Sequence, residues 1–134
     1  VGLAVENCHN LTLAGCTVRN TGLDGVVVTG GSNCLVDSCD IYDVGTSGIV
    51  IGGGDRKTLD PSNHEVVNNH IHHVSRRMRT HGYNVQIRGV GVRMAHNLIE
   101  DAPHQAIGIA GNDHRIEYNE VSRVGMESDD CGAR

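Results

Sequence analysis

The chain has no Phe and no Trp, and only three Tyr and two Pro in 134 residues. A core built on large aromatic rings is therefore excluded. The apolar material is mostly β-branched, which favours strands over helices. No run approaches the roughly 18 apolar residues of a membrane-spanning helix, so a membrane partner is not expected. The start VGLAVENCHN carries neither the charged nor the apolar region of a signal peptide. Positive charge is also scarce: 11 Lys and Arg against 16 Asp and Glu give a net charge of -5. The one basic run, Arg76-Arg77-Met78-Arg79, is too local to track a phosphate backbone, so nucleic acid is not expected as a partner. Five cysteines, an odd number without a C-x-x-C pair, argue against a disulfide framework and against a cysteine zinc site. With 38% hydrophobic and 20% charged residues, the composition is that of one folded domain rather than a disordered chain.

What is present is a repeat. Aligned on a small residue, an apolar one, any residue and another apolar one, the chain reads GVVV at 25–28, GIVI at 48–51, NVQI at 84–87 and AIGI at 106–109. The alternation has the period of two of a strand, not the 3.6 of a helix. A second anchor precedes or follows in step: Val18, Ile41, Ile71, Leu98 and Val121, separated by 23, 30, 27 and 23 residues. A step of about 22 to 24 residues is one turn of a three-sided solenoid whose coils stack at roughly 4.8 Å. The expected fold is all-β: a right-handed parallel β-helix of about five coils over residues 1–134, with longer steps marking loops at the corners. Both ends fall inside the pattern, so the expectation is a fragment of a longer solenoid without its caps.

Two residues before each anchor the column reads Cys16, Cys39, Asn69, His96 and Asn119, the stacked ladder such a fold favours. The two cysteines read as small inward thiols, with a disulfide as the alternative. Side chains in the middle of the repeated strand point outward, giving the column Val27, Val50, Gln86 and Gly108. It is apolar early and polar late, which puts any active end in the C-terminal coils. The two excess loops, 52–65 and 75–84, lie on that side, and long loops on a rigid scaffold are where function concentrates.

The last third also holds the densest titratable groups, among them Asp101, His104, Asp113, His114, Glu117, Glu120, Glu127, Asp129 and Asp130. Two carboxylates flanking a glycosidic bond are the minimum apparatus for its hydrolysis. Equating Gly132-Ala133 with Ala106-Ile107 places Asp130 one coil above His104, roughly 5 Å away. Asp113 lies at the far end of that strand, and Asn112-Asp113 also reads as a corner turn. His70, His72 and His73 in HIHH invite a metal. None is expected, because neighbours on a strand face opposite ways and converge only with partners from other coils.

The segment GIAGNDHRIEYNEVSRVGMESDDCGA at 108–133 resembles large bacterial right-handed β-helix proteins of the carbohydrate-active, pectate-lyase-like type. The resemblance implies a secreted or periplasmic glycoside hydrolase acting on a polysaccharide or oligosaccharide. It carries Asp130 over as acid or nucleophile, with Glu127 or Asp129 as partner and His104 tuning their protonation. Arg79, His81, Gln86, Asp113 and His114 would bind substrate, and no cofactor is expected. A polysaccharide lyase is the first alternative; it would need a cation, with Ca2+ the expected one, and a basic side chain such as His81 or Arg79. A non-catalytic carbohydrate-binding solenoid is the second. The contiguous Asp-Pro-His acid signature of mannuronan epimerases is missing, since Asp60-Pro61-Ser62-Asn63-His64-Glu65 is interrupted.

Overall fold

The computed structural model describes residues 2–76, 83–102 and 105–124. These form fifteen strands and no helix, wound as five coils of three. The first coil is β1 (Leu3–Glu6), β2 (Thr12–Ala14) and β3 (Thr17–Thr21); the second is β4 (Val26–Thr29), β5 (Leu35–Asp37) and β6 (Asp40–Val44). The third is β7 (Ile49–Gly53), β8 (Glu65–Val67) and β9 (His70–His72), the fourth β10 (Tyr83–Gly89), β11 (Arg93–Ala95) and β12 (Leu98–Ala102). The fifth is β13 (Gln105–Ile109), β14 (Arg115–Glu117) and β15 (Glu120–Val124). Every third strand pairs in parallel, giving three five-stranded sheets: β1-β4-β7-β10-β13, β2-β5-β8-β11-β14 and β3-β6-β9-β12-β15. The expected right-handed parallel β-helix of five coils is the fold.

Alternation on each strand fills the interior with apolar columns, two from the first sheet (Val26, Ile49, Val85, Ile107 and Val28, Ile51, Ile87) and one from each of the others. Val18, Ile41, Ile71, Ile99 and Val121 stack in register on the third sheet, and Leu13, Val36, Val66, Met94 and Ile116 on the second. Ile41, Ile71, Ile99 and Met94 have no solvent exposure, and burial of such a side chain is worth about 1.5–3 kcal/mol.

Three corner columns hold the left-handed backbone that turns the chain. One contains Asn10, Asn33, Asn63, Gly91 and Asp113; another Gly15, Ser38, Asn68, His96 and Tyr118; the third Asn20, Asp43, His73, Asp101 and Arg123. All have φ between 49° and 68°. Asn, Asp and Gly tolerate this region best, which is why they recur at these spacings.

The fourth coil corrects the expected register by one residue. Ile99, not Leu98, stacks between Ile71 and Val121, while Leu98 pairs with His70 and Glu120 on the outer face. The steps are thus 23, 30, 28 and 22 residues, and the ladder residue is Asn97 rather than His96. The correction is visible in the hydrogen bonds. Asn69 donates from Nδ2 to Asn97 Oδ1 (3.0 Å) and Asn97 from Nδ2 to Asn119 Oδ1 (2.9 Å). Each oxygen also accepts the backbone N–H one coil below: Cys39 to Asn69, Asn69 to Asn97, Asn97 to Asn119. Each amide further donates to a strand carbonyl, that of Val36, Val66 or Met94. Cys39 does the same with a thiol, its Sγ 3.7 Å from Leu13 O, so the cysteines are the lower rungs of this ladder. Cys8, Cys16, Cys34 and Cys39 are all free thiols, and burial pushes the Cys39 thiol above its ordinary range.

Candidate functional site

The third sheet presents its outward side chains in two adjacent columns fixed by strand register. One is Thr17, Asp40, His70, Leu98 and Glu120; the other is Arg19, Tyr42, His72, Glu100 and Ser122. Beside them runs the corner column that ends in His73, Asp101 and Arg123. Because Ile71 points inward, His70 and His72 share the outer face, and the coils below and above supply the partners that HIHH lacks by itself.

The result is a continuous network over four coils. His72 Nε2 lies 3.0 Å from Asp40 Oδ1, and His70 Nδ1 lies 3.8 Å from the same oxygen. The other ring nitrogen of His70, Nε2, is 2.8 Å from Glu100 Oε1, and His72 Nδ1 is 2.7 Å from His73 Nδ1. Arg123 donates to both oxygens of Asp101 (2.6 and 3.0 Å) and to Glu100 Oε2 (2.8 Å). The His70 hydrogen bond, reinforced by Arg123, holds the Glu100 carboxyl below the usual carboxylate range. The Arg123 hydrogen bonds do the same for Asp101. The rings are stacked: Tyr42 on His72 at 4.8 Å and His72 on His70 at 4.1 Å between centroids. Arg19 donates to the Tyr42 hydroxyl at 3.3 Å. Farther along the corner, Asn20, Thr21, Asp43, Gly45 and Arg76 bound a depression of about 360 Å³.

Of the residues expected from sequence, Asp130, Asp129, Glu127, His104, Arg79 and His81 lie outside the described residues. Gln86 sits where expected, on the outer face of the first sheet between Val50 and Gly108, and accepts a hydrogen bond from Arg88. Asp113 is exposed and occupies the left-handed corner column with Asn63 and Gly91. It also lines a surface cavity of about 350 Å³ with Asn63, Glu65, Arg93 and Arg115. The His114 ring is occupied by backbone: Nδ1 accepts the Val92 N–H (3.1 Å), and Nε2 lies 2.7 Å from Ala110 O. The fully buried His64 repeats this two coils below, with the Cys34 N–H on Nδ1 (3.1 Å) and Gly30 O against Nε2 (2.9 Å). The first sheet thus holds one expected polar residue, while the titratable network of Asp40, His70, His72, His73, Glu100 and Arg123 was not anticipated as a site. The signal for it was the N-x-[IV] spacing of Asn69, Asn97 and Asn119, which fixes the register that brings these residues together.

Fold and outer face together define a parallel β-helix with a titratable ladder along one flank. The chain matches the family described as right handed beta helix region over residues 1–132 and belongs to it. Neither curated proteins nor solved structures give a match.

Proposed function

We propose that this β-helix acts on a polysaccharide, holding the sugar chain along the corner between its third and first faces and cleaving it as a glycoside hydrolase. The observation that carries the reading is the outward ladder of Arg19, Tyr42, His72 and Glu100, one residue per coil in strict register. A row of ring edges, a phenol hydroxyl and carboxylates along one flank suits a sugar chain, whose many hydroxyls can hydrogen-bond to these donors and acceptors. The rigid strands hold these groups at the coil spacing, so little ordering entropy is lost on binding a linear polymer.

The cleavage step is assigned to Asp130 as acid or nucleophile, with Glu127 or Asp129 as its partner and His104 acting on their protonation. Arg79, His81 and Gln86 would complete the groove. The protein is taken as secreted or periplasmic, where such polymers are met. The deciding experiment incubates the full-length protein with neutral and uronate polysaccharides and follows new reducing ends alongside the ultraviolet absorbance of an unsaturated uronate. Reducing ends without the chromophore, lost in Asp130→Asn, support hydrolysis. The chromophore overturns it in favour of a lyase using His81 or Arg79. Binding without either product identifies a non-catalytic solenoid.

A further inference from the structure

We propose that Asp40, His70 and His72 form a binding site for one divalent transition-metal ion of the Zn2+ type, on the outer face of the third sheet. The site shares His72 and Glu100 with the ladder of the polysaccharide reading, but its test reads metal binding alone, so the failure of one is distinguishable from the failure of the other.

The donor set is two imidazole nitrogens and one carboxylate oxygen, His70 Nδ1, His72 Nε2 and Asp40 Oδ1, all within 4.8 Å of one another. Zinc binds such donors at about 2.0–2.2 Å in a tetrahedron, which requires them to be roughly 3.3–3.5 Å apart. The observed separations of 3.0 Å from Asp40 to His72 and 3.8 Å from Asp40 to His70 bracket that value. The two imidazole donors lie within 4.8 Å of each other, so side-chain rotations that close that gap by about an ångström or less would seat an ion. Three protein donors leave a fourth position for water. His70 and Asp40 are 40% and 48% exposed, so an ion can enter from solvent.

What distinguishes the site from a chance meeting of polar side chains is the support on each imidazole. A metal-bound histidine uses one ring nitrogen and carries a proton on the other, and an acceptor on that proton fixes the tautomer and makes the ring a better ligand. His70 presents Nε2 to Glu100 at 2.8 Å, leaving Nδ1 for the ion. His72 presents Nδ1 to His73 at 2.7 Å, leaving Nε2 for the ion. His73 Nε2 in turn lies 3.8 Å from Asp101 Oδ2. Tyr42 stacked on His72 and the direct pairing of Asp40 with His70 and Tyr42 with His72 hold the rings in place. The carboxylates of Asp40, Glu100 and Asp101 outnumber the Arg123 guanidinium among them, so the local field favours a cation.

A second grouping, His72 with His73 and Asp101, competes for the same ion. It is the weaker candidate, because Arg123 donates to both Asp101 oxygens. Asp101 is thereby committed to a cation already present. Imidazole and carboxylate donors suit Zn2+, Ni2+ and Cu2+ and are poor for Ca2+, which takes six to eight oxygens.

The test is titration of chelator-treated full-length protein with Zn2+ by calorimetry and with Co2+ by visible absorption. The expected result is one ion per chain, with Co2+ bands of a low-coordinate nitrogen and oxygen site. Asp40→Asn and His72→Gln should remove that binding event, while Glu100→Gln should weaken it about 10- to 100-fold with the stoichiometry unchanged. Asp101→Asn should leave the affinity within a few fold. Strand circular dichroism confirms that each variant is folded, and the outward position of all four side chains makes that the expected outcome. Absence of a one-to-one event in the parent protein overturns the site. So does Asp40→Asn binding like the parent, or loss of binding in Asp101→Asn with Asp40→Asn unaffected.

Discussion

At the scale of single residues, the buried polar groups act as staples between coils. His64 has no solvent exposure and satisfies a backbone N–H and a carbonyl of the coil below. Burial lowers its pKa from the ordinary 6.5, against a smaller opposing effect of the Gly30 carbonyl. The consequence for stability has a definite sign. Below 6.5 the unfolded chain takes up a proton at this position that the folded chain refuses, so stability falls as pH drops from the unfolded value towards the lowered folded one. The thermal midpoint should therefore decline on acidification through that window, and His64→Gln should show a shallower decline across it. Asn97 is the second such staple. Asn97→Ala removes the acceptor of the Asn69 backbone N–H and the donor to Val66 O, and should cost about 2–4 kcal/mol in chemical denaturation. Asn119→Ala, at a half-buried rung, should cost less.

At the scale of the strand, each sheet has an inner apolar face and an outer face with separate roles, and substitutions should divide accordingly. Ile71→Ala leaves a hole between Ile41 and Ile99 and should destabilise by about 2–5 kcal/mol. Tyr42→Ala, on the opposite face of the neighbouring strand, should leave the fold intact. If the proposed polysaccharide reading holds, it should weaken affinity for that polymer by about tenfold, or ~1.4 kcal/mol. The small-residue column of the first sheet carries a steric condition of its own. A Cβ on Gly48 would stand 2.6 Å from the Asn84 carbonyl oxygen and from Ile71 Cγ2. Gly48→Val should then force the coils apart at a cost of about 1–3 kcal/mol.

Across the whole molecule, contacts run almost wholly between successive coils, as the register of the three sheets requires. Stability is then close to a sum of coil terms and coil-coil interfaces, and loops at the corners are nearly independent of it. The excursion 54–60 is exposed throughout and closes on itself through the Asp55 N–H to Asp60 carbonyl bond (3.0 Å). Deleting residues 55–60 should shift the thermal midpoint by only a few degrees, since shortening a loop changes its closure entropy by about 0.6 kcal/mol per halving. A larger loss would mean that the loop, which puts Leu59 over the cavity beside Asp113, holds the corner of Asn63, Gly91 and Asp113 together.

The sequence alone determined the fold, because its carriers are local. Alternation in GVVV, GIVI and NVQI sets which side chains face inward, and Asn, Gly, Ser and Asp at the corners permit the left-handed turns. The outward position of Gln86 and the corner position of Asp113 follow from the same two rules. Tertiary structure decided what depends on the length of an intervening loop. Leu98 and Ile99 are both apolar and adjacent, so alternation is satisfied by either, and only the asparagine ladder closing on Asn97 chooses between them. That one-residue choice sets the outward neighbours of the fourth coil, and with them the placement of Glu100 on His70. HIHH shows two histidines on one face but not what lies above and below; those partners come from 30 residues away in each direction, where stacking rather than sequence makes them neighbours.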